Sequence, residues 1–292
     1  MSSKPAIAIT LGDPSGIGPE IAARAASDAR VRAVCQPLLY GPEEAGRFEP
    51  GRLSAETGKA SFEAIARAVE DARAGKVAAI ATAPISKTAL ALAGLAWRGH
   101  TDMLAGLTGA RQVAMMFHSE KLRVVLATVH VPLADVPRLV TRELLVDIVA
   151  LAARELPRFG VAAPRLALAG LNPHAGEDGL LGSEERDTLA PAVEASRAAG
   201  IDIVGPLPAD TVFVRAVRGE FDAVIACYHD QGLIPVKLVA FGQAVNVTLG
   251  LPIIRTSVDH GTAFDIAGKG IADPASMIEA VLLAARLATP PG

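Results

Sequence analysis

The stretch AIAITLGDPSGIGPE, residues 6–20, predicts the first strand, turn and helix start of the fold. The apolar run Ala6–Thr10 predicts a buried strand, because a short apolar run ending at a glycine is typical of parallel sheets. A turn over residues 12–18 follows, and Pro19 is tolerated in the first turn of a helix. Glycines here either let a ligand approach the backbone or simply close a tight turn. The spacing is not G-x-G-x-x-G, so both interpretations stay open.

Strand-like runs continue to alternate with helical patterns and predict an α/β fold with a largely parallel sheet and helices on both faces. A chain of 292 residues exceeds one core, so we expect two lobes, one of them discontinuous and using both ends of the chain. Residues 40–53 are the most loop-like region, and Ser276 with Glu279 predicts a capping box for the last helix. Further helices are expected at 61–74 and 141–156, and further strands at 77–81, 123–129, 165–171, 201–204, 222–227 and 253–257.

Composition excludes several classes of function. The net charge is -3 without a basic run, and aromatic residues are only 4%, so neither duplex nor single-stranded nucleic acid is an expected partner. No apolar run has membrane-spanning length, and Met1 to Leu11 is too short for a signal peptide. Cys35 and Cys227 lie in apolar segments, which indicates reduced thiols and a cytoplasmic protein.

Three histidines follow predicted strands. His130 ends ATVH, His174 lies in LNPHAGE, and His229 lies in ACYHDQG. Imidazoles at three strand ends can converge on one metal ion that keeps open positions. A single histidine of this kind is usually structural, and the local spacing of a metal motif is missing. The shared placement is what favours a metal site.

Cationic side chains are the second group. Arg255 lies in the apolar run LPIIR, so it needs either an anionic ligand or an internal salt bridge, for example to Asp259 or Asp265. Lys237 follows the His229 segment, and Lys87 follows another strand. A solvated lysine is the simpler interpretation of Lys87.

Taken together, these motifs resemble the 4-hydroxythreonine-4-phosphate dehydrogenase family of pyridoxal phosphate biosynthesis. The resemblance runs through GDPSGIGPE, NPHAGEDG, GPLPADT, YHDQG and NVTLGLPIIRTSVDHGTAFDIAGKG, nearly the whole chain. The first and last segments also resemble isopropylmalate and isocitrate dehydrogenases. The resemblance implies two α/β/α lobes with an active-site cleft between them. A nucleotide-binding lobe would comprise 1–95 plus 240–292, and a metal, substrate and dimerisation lobe would comprise 96–239.

Roles follow from the matched positions. The resemblance implies that His130, His174 and His229 bind one divalent metal (Zn, Mg or Co) at a homodimer interface, with ligands from both subunits. It also implies a substrate site and a loop that binds NAD or NADP. The substrate residues would be His100, Thr101, Lys237, Asn246 and Arg255; the cofactor residues would be Asp259, His260, Gly261, Thr262, Asp265 and Lys269.

The implied reaction is oxidation of 4-phosphohydroxy-L-threonine at C3 with decarboxylation to 3-amino-2-oxopropyl phosphate. Asp210, Asp230 and Lys87 are candidates for the catalytic base by position. Alternatives are a relative acting on 4-phospho-threonate, 4-phospho-erythronate or a dihydrodiol dicarboxylate, a three-histidine metal hydrolase, and a non-catalytic phosphometabolite-binding protein. The chain departs from the family in length, being shorter between its second strand and the helix near Ser61.

Overall fold

A computed structural model describes residues 4–289 of the protein. Strands alternate with helices along this range. Its strands are β1 (Ala6–Thr10), β2 (Gln36–Tyr40), β3 (Ala79–Thr82), β4 (Ala114–His118), β5 (Arg123–Leu126), β6 (Leu166–Ala169), β7 (Ile203–Leu207), β8 (Ala223–Ala226), β9 (Val245–Leu249) and β10 (Arg255–Ser257). Its α-helices are α1 (Gly18–Ser27), α2 (Ala29–Val34), α3 (Ala55–Arg73), α4 (Lys87–Leu92), α5 (His100–Thr108), α6 (Val136–Leu139), α7 (Arg142–Glu155), α8 (Ala190–Ala198), α9 (Ala209–Val217), α10 (His229–Ala240) and α11 (Ala275–Ala288).

The chain divides into two units. Unit 1 comprises residues up to Val113 and from Val245 onward, and unit 2 comprises Ala114–Ala244. One unit is therefore discontinuous, and its borders lie at 113/114 and 244/245 rather than at the expected 95/96 and 239/240. The roles expected of the two lobes stay predictions.

Unit 1 is a sheet with helices on both faces. Its strand order is β2-β1-β3-β10-β9, parallel except for the antiparallel pair of β9 and β10. On one face Ile7 and Ile9 pack with α1, α2 and α11, and on the other Ala8 and Ile80 pack with α3, α4 and α5. Strands buried on both faces have continuous apolar sequences, which is why the Ala6–Thr10 run was recognisable.

Unit 2 repeats this plan. Its strand order is β4-β5-β8-β6-β7, parallel except for the β4–β5 hairpin. Val124, Ala167 and Val224 face a core that includes α9 and α10, while α8 contacts β7. Because β5, β8 and β6 are parallel neighbours, the segments after them begin at one edge of the sheet. The expected α/β class with a largely parallel sheet is confirmed.

Two strands, one boundary and one cap differ from the sequence prediction. β4 and β9 were not predicted, and the second strand, expected before residues 40–53 without stated bounds, is β2 and ends at Tyr40. The capping box at Ser276 is wrong, because the Ser276 hydroxyl donates to the Asp259 carboxylate (3.1 Å) and Pro274 occupies the N-cap. A tertiary contact thus replaces the local one. Among the residues described, no helix is both long and apolar enough to cross a membrane.

Candidate active site

The opening turn is held by the protein's own backbone. Gly12 has φ +66°, and a Cβ there would lie 2.2 Å from the Pro84 carbonyl oxygen. The fully buried Asp13 carboxylate accepts from the Ser15 amide (3.0 Å) and hydroxyl (2.7 Å). A Cβ on Gly16 would lie 2.9 Å from the Thr262 carbonyl oxygen. These glycines are explained by close packing, so the structure favours the tight-turn interpretation.

The turn also fixes the loop that follows β10. The Ile17 amide donates to the Thr262 carbonyl (3.0 Å), and the Glu20 carboxylate accepts from the amides of Gly270 (3.2 Å) and Ala272 (3.0 Å). His260 has its Nδ1 3.0 Å from the Gly261 carbonyl, while its Nε2 is buried with no hydrogen-bond partner in the structure. A buried polar atom without a partner is costly unless a ligand satisfies it. Gly261, Asp265 and Lys269 are exposed on the same loop.

Arg255 is the most unusual side chain of unit 1. It is only 2% exposed, and its guanidinium donates to the hydroxyls of Thr82 (2.8 and 3.1 Å) and Thr248 (2.9 Å). Its hydrogen bonds in the described part of the chain thus reach no carboxylate, so the salt bridge considered from the sequence is absent there. Burial lowers the pKa of the guanidinium to about 9. Burying a cation beside neutral groups alone is expensive, and an anionic ligand would offset that cost.

His100 and Asn246 lie in the same unit and each keep one unsatisfied atom. Nε2 of His100 and Oδ1 of Asn246 are buried without hydrogen-bond partners in the structure. Burial, followed by the nearby positive charge of Arg255, lowers the pKa of His100 well below its usual value. The imidazole is therefore neutral. Thr101 follows His100 in the first turn of α5 and is half-buried.

Lys87 is exposed at the first residue of α4. Its Cε lies 3.6 Å from the point where a Cβ on Gly99 would stand. Gly99 immediately precedes His100, so the lysine stem approaches the start of α5. This placement is compatible with a functional Lys87 and does not require one.

In unit 2 two of the three histidines come together. The His130 and His229 ring centroids are 5.6 Å apart, beside a cavity of about 470 Å³ that Tyr228, Leu133 and Val136 also line. With metal–nitrogen bonds of about 2.0–2.1 Å and tetrahedral angles, two imidazoles on one ion have centroids roughly 5 Å apart. The pair therefore fits a shared metal ion.

His174 does not join them within one chain. Among the described residues, no three His, Cys, Asp or Glu side chains are grouped to hold a metal. His174 is exposed and begins a left-handed turn, with φ between +43° and +84° from His174 to Asp178. Non-glycine residues in this conformation cost about 1–2 kcal/mol each, so the surrounding structure must enforce it.

Carboxylates accompany two of the histidines. Nδ1 of His174 is 2.7 Å from Glu177, and Nδ1 of His229 is 2.7 Å from Asp230. Asp210 and Lys237 are exposed, in the first turn of α9 and the last turn of α10.

Several of these contacts were not expected from the sequence. Thr82 and Thr248 hold Arg255, and Glu177 holds His174, but none was a candidate residue. Threonine at the end of a buried strand was the available signal for Thr82. The partner of Thr82 depends on strand register, because Arg255 pairs with Ile80 and Ser257 with Thr82.

Comparison with known proteins places this geometry in a family. The sequence-family model described as pyridoxal phosphate biosynthetic protein PdxA matches residues 18–284 of this chain. A 4-hydroxythreonine-4-phosphate dehydrogenase of Desulforapulum autotrophicum is 45% identical over 98% of this chain and 96% of its own. A D-threonate 4-phosphate dehydrogenase of Cupriavidus necator is 47% identical over 98% of both chains. The first alignment spans 328 positions although this chain has 292 residues, so that relative has residues without a counterpart here.

Solved structures agree. The crystal structure of 4-hydroxythreonine-4-phosphate dehydrogenase from Klebsiella pneumoniae has a TM-score of 0.88 and 41% identity, covering 98% of this chain and all of that one. Isocitrate dehydrogenase from Methylococcus capsulatus, at 18% identity, TM-score 0.51 and coverage of 94% of this chain and 82% of that one, shows likeness of fold alone. The chain belongs to the PdxA family of pyridoxal phosphate biosynthesis and is a dehydrogenase that acts on a CH–OH group.

Proposed function

We propose that this protein oxidises 4-phosphohydroxy-L-threonine at C3, with NAD (or NADP) and one divalent metal, and that decarboxylation gives 3-amino-2-oxopropyl phosphate. The observation that carries the proposal is the buried Arg255, whose guanidinium hydrogen bonds within residues 4–289 all go to threonine hydroxyls. A substrate that bears phosphate and carboxylate supplies the missing anion. The names of several relatives, such as that from Desulforapulum autotrophicum, support the same substrate.

The remaining residues have complementary roles in this proposal. Arg255 and Lys237 bind the anionic groups, while His100, Thr101 and Asn246 bind the polar groups of the substrate. The neutral His100 can donate or accept without adding charge. The metal would be held by His130, His174 and His229, and as zinc, magnesium or cobalt it would supply Lewis-acid polarisation of the hydroxyl. The cofactor would lie on the loop of Asp259, His260, Gly261, Thr262, Asp265 and Lys269.

Within this proposal, two of the three candidates for the catalytic base are preferred. Asp230 already accepts from Nδ1 of His229. Among the residues that the structure describes, the carboxylate of Asp210 and the amine of Lys87 have no such hydrogen bond to a histidine, so we propose one of these two as the group that moves the proton.

We further propose a homodimer with shared active sites. His130 and His229 are paired within one chain, whereas His174 is not grouped with them. A second copy would supply the third imidazole. α10, which begins at His229, exposes Ile234 (66%) and Leu238 (84%), and Phe241 (79%) follows its end. This apolar stripe is what an interface between two copies would cover. Both cysteines are free and buried, which supports the proposed cytoplasmic location.

The Cupriavidus necator relative supports a second candidate substrate, D-threonate 4-phosphate. It carries the same two anionic groups and a hydroxyl where the first substrate has its amine. 4-Phospho-erythronate and a dihydrodiol dicarboxylate remain more distant alternatives. Membership in a dehydrogenase family argues against the metal hydrolase and against the binding protein without catalysis.

The experiment is an NADH absorbance assay of the purified protein with Zn²⁺, Mg²⁺ or Co²⁺ and a panel of 4-phosphorylated hydroxy acids. We expect the highest kcat/KM for 4-phosphohydroxy-L-threonine, with release of one CO₂ per NADH. A higher kcat/KM for D-threonate 4-phosphate would replace the substrate and keep the chemistry. If neither NADH nor NADPH forms with any member when NAD or NADP is supplied, under conditions where the protein is folded and metal-loaded, the proposal is refuted.

A further inference from the structure

The turn that carries His174 is unusually well supported. The buried Glu185 accepts from the amide (2.7 Å) and the side-chain Nδ2 (2.9 Å) of Asn172, two residues before His174. Ala175 packs closely on Gly170: a Cβ added to Gly170 would lie 2.9 Å from the Cα of Ala175. The left-handed backbone is therefore enforced from both sides. Strain that the surroundings enforce is a reason to look for a function.

The consequence of this backbone is a defined imidazole. The turn brings the Glu177 carboxylate to 2.7 Å from Nδ1 of His174, although both side chains are exposed. A carboxylate only accepts hydrogen bonds, so Nδ1 must carry the proton. In a neutral imidazole the lone pair is then on Nε2.

His229 reaches the same state from a different backbone. It begins α10, and its Nδ1 lies 2.7 Å from the carboxylate of the next residue, Asp230. A left-handed turn and a helix start thus produce one arrangement, an imidazole whose Nε2 alone can bind a metal. The same histidine–carboxylate contact through Nδ1 thus arises on two different backbones, which argues against two accidental surface contacts.

We propose that Glu177 and Asp230 are positioning residues, which hold His174 and His229 with Nε2 available to the divalent metal. The inference rests on the proposed three-histidine site. Under this inference Asp230 is no longer a candidate for the catalytic base, and Glu177 acquires a role in orienting His174. A carboxylate behind a metal-binding imidazole fixes its orientation and strengthens it as a ligand.

The test uses Glu177→Gln and Asp230→Asn in the full-length protein. Each amide keeps the size of the side chain, but its NH₂ group can donate to Nδ1 and move the imidazole proton to Nε2. We expect the Kd for Co²⁺, measured against a competing chelator, to rise about 10- to 100-fold in each variant. The visible absorption spectrum of bound Co²⁺ should also change, whereas the Tm of the metal-free protein should not. Asp178→Asn is the matched control, because Asp178 lies in the same turn with φ +54° and is exposed.

The outcomes separate this inference from the proposed function. If His174→Ala and His229→Ala leave Co²⁺ binding intact, the three-histidine site is wrong and the positioning role fails with it. If those variants lose Co²⁺ while Glu177→Gln and Asp230→Asn keep Kd and spectrum within threefold of Asp178→Asn, the metal site stands and the inference is overturned. Should Glu177→Gln not fold, Asp230→Asn decides, since it lies on a separate helix.

Discussion

At the residue scale, the most informative side chain is Arg255, a cation that is buried in the core. Arg255 begins β10 directly after the apolar Ile253 and Ile254, and the fold supplies hydroxyls instead of a countercharge. Hydroxyls satisfy the geometry of a guanidinium without neutralising it. The positive charge therefore stays available, and it acts on the neutral His100 as well as on any bound anion.

Arg255→Lys should lower kcat/KM on the order of 30- to 1,000-fold, because an ammonium cannot make the planar fork that binds a carboxylate or phosphate. The NAD dissociation constant should barely move. Steady-state kinetics, NAD titration and Tm on this variant give the answer, with the exposed Arg67→Lys as the control. A destabilised Arg255→Lys enzyme with normal kinetics would assign Arg255 a purely structural role.

His100 should make stability depend on pH. Its folded pKa lies below the unfolded value of 6.5, so the unfolded chain binds a proton that the folded one rejects. Stability should therefore be full above about pH 6.5 and fall as the pH drops below it, by at most about 1.4 kcal/mol per pH unit. Urea unfolding of the wild type and of His100→Gln from pH 7.5 to 5.5 measures the difference. Parallel pH profiles for the two proteins would contradict this linkage.

At the scale of elements, close approach of helices positions the site. A Cβ on Gly58 of α3 would lie 2.1 Å from the carbonyl oxygen of Ala89 in α4. This contact is with backbone, which cannot rotate away. Because α4 begins at Lys87, the packing of α3 sets where that amine stands.

Gly58→Ala should destabilise the protein by about 1–3 kcal/mol through overpacking, although alanine has a helix propensity about 1 kcal/mol better than glycine. Gly46→Ala is the matched control, because a Cβ there meets nothing within 4 Å. Denaturant midpoints compare the two variants. A Gly58→Ala protein as stable as Gly46→Ala would mean that α3 and α4 do not touch at this point.

The elements also show why part of the structure could be predicted. β1 and α1 were recognisable because a fully buried strand and a Pro-initiated helix are local patterns. The bounds of β2 were not predicted because QPLLY contains proline and borders a glycine, and β9 was missed because VNVTL carries polar residues inward to the site. Ser276 fits a local cap in sequence but is used by Asp259. The resemblance named its candidate site residues directly from matched motifs. The contacts of Thr82 and Thr248 with Arg255, and of Glu177 with His174, could not be predicted in this way because they depend on strand register and turn geometry.

At the scale of the whole molecule, the grouping of histidines determines which variants can rescue one another. If each site takes His130 and His229 from one copy and His174 from the other, mixed dimers of His174→Ala and His229→Ala contain one intact site. Re-association of an equal mixture should restore roughly one quarter of wild-type activity by statistics of a twofold dimer. His130→Ala with His229→Ala should restore none, because both changes fall on the same half of the site.

Activity assays after mild unfolding and re-association of the mixtures, with sedimentation to measure mass, test this arrangement. Rescue by the His130→Ala and His229→Ala pair would place those two ligands on different copies. A fully active monomer would remove the shared site altogether.

The discontinuity of unit 1 has a consequence for synthesis on the ribosome. Its strand β10, which pairs with β3, and the helix α11, which packs on β1, follow the inserted unit 2 in the sequence. At about 5–20 residues per second, the nascent chain therefore holds β3 without its partner β10 for roughly ten seconds or longer, while unit 2 can already fold. Arg255 and the loop after β10 are translated after the whole of unit 2. A translation product that ends before β10 lacks Arg255 and therefore cannot contain the anion pocket.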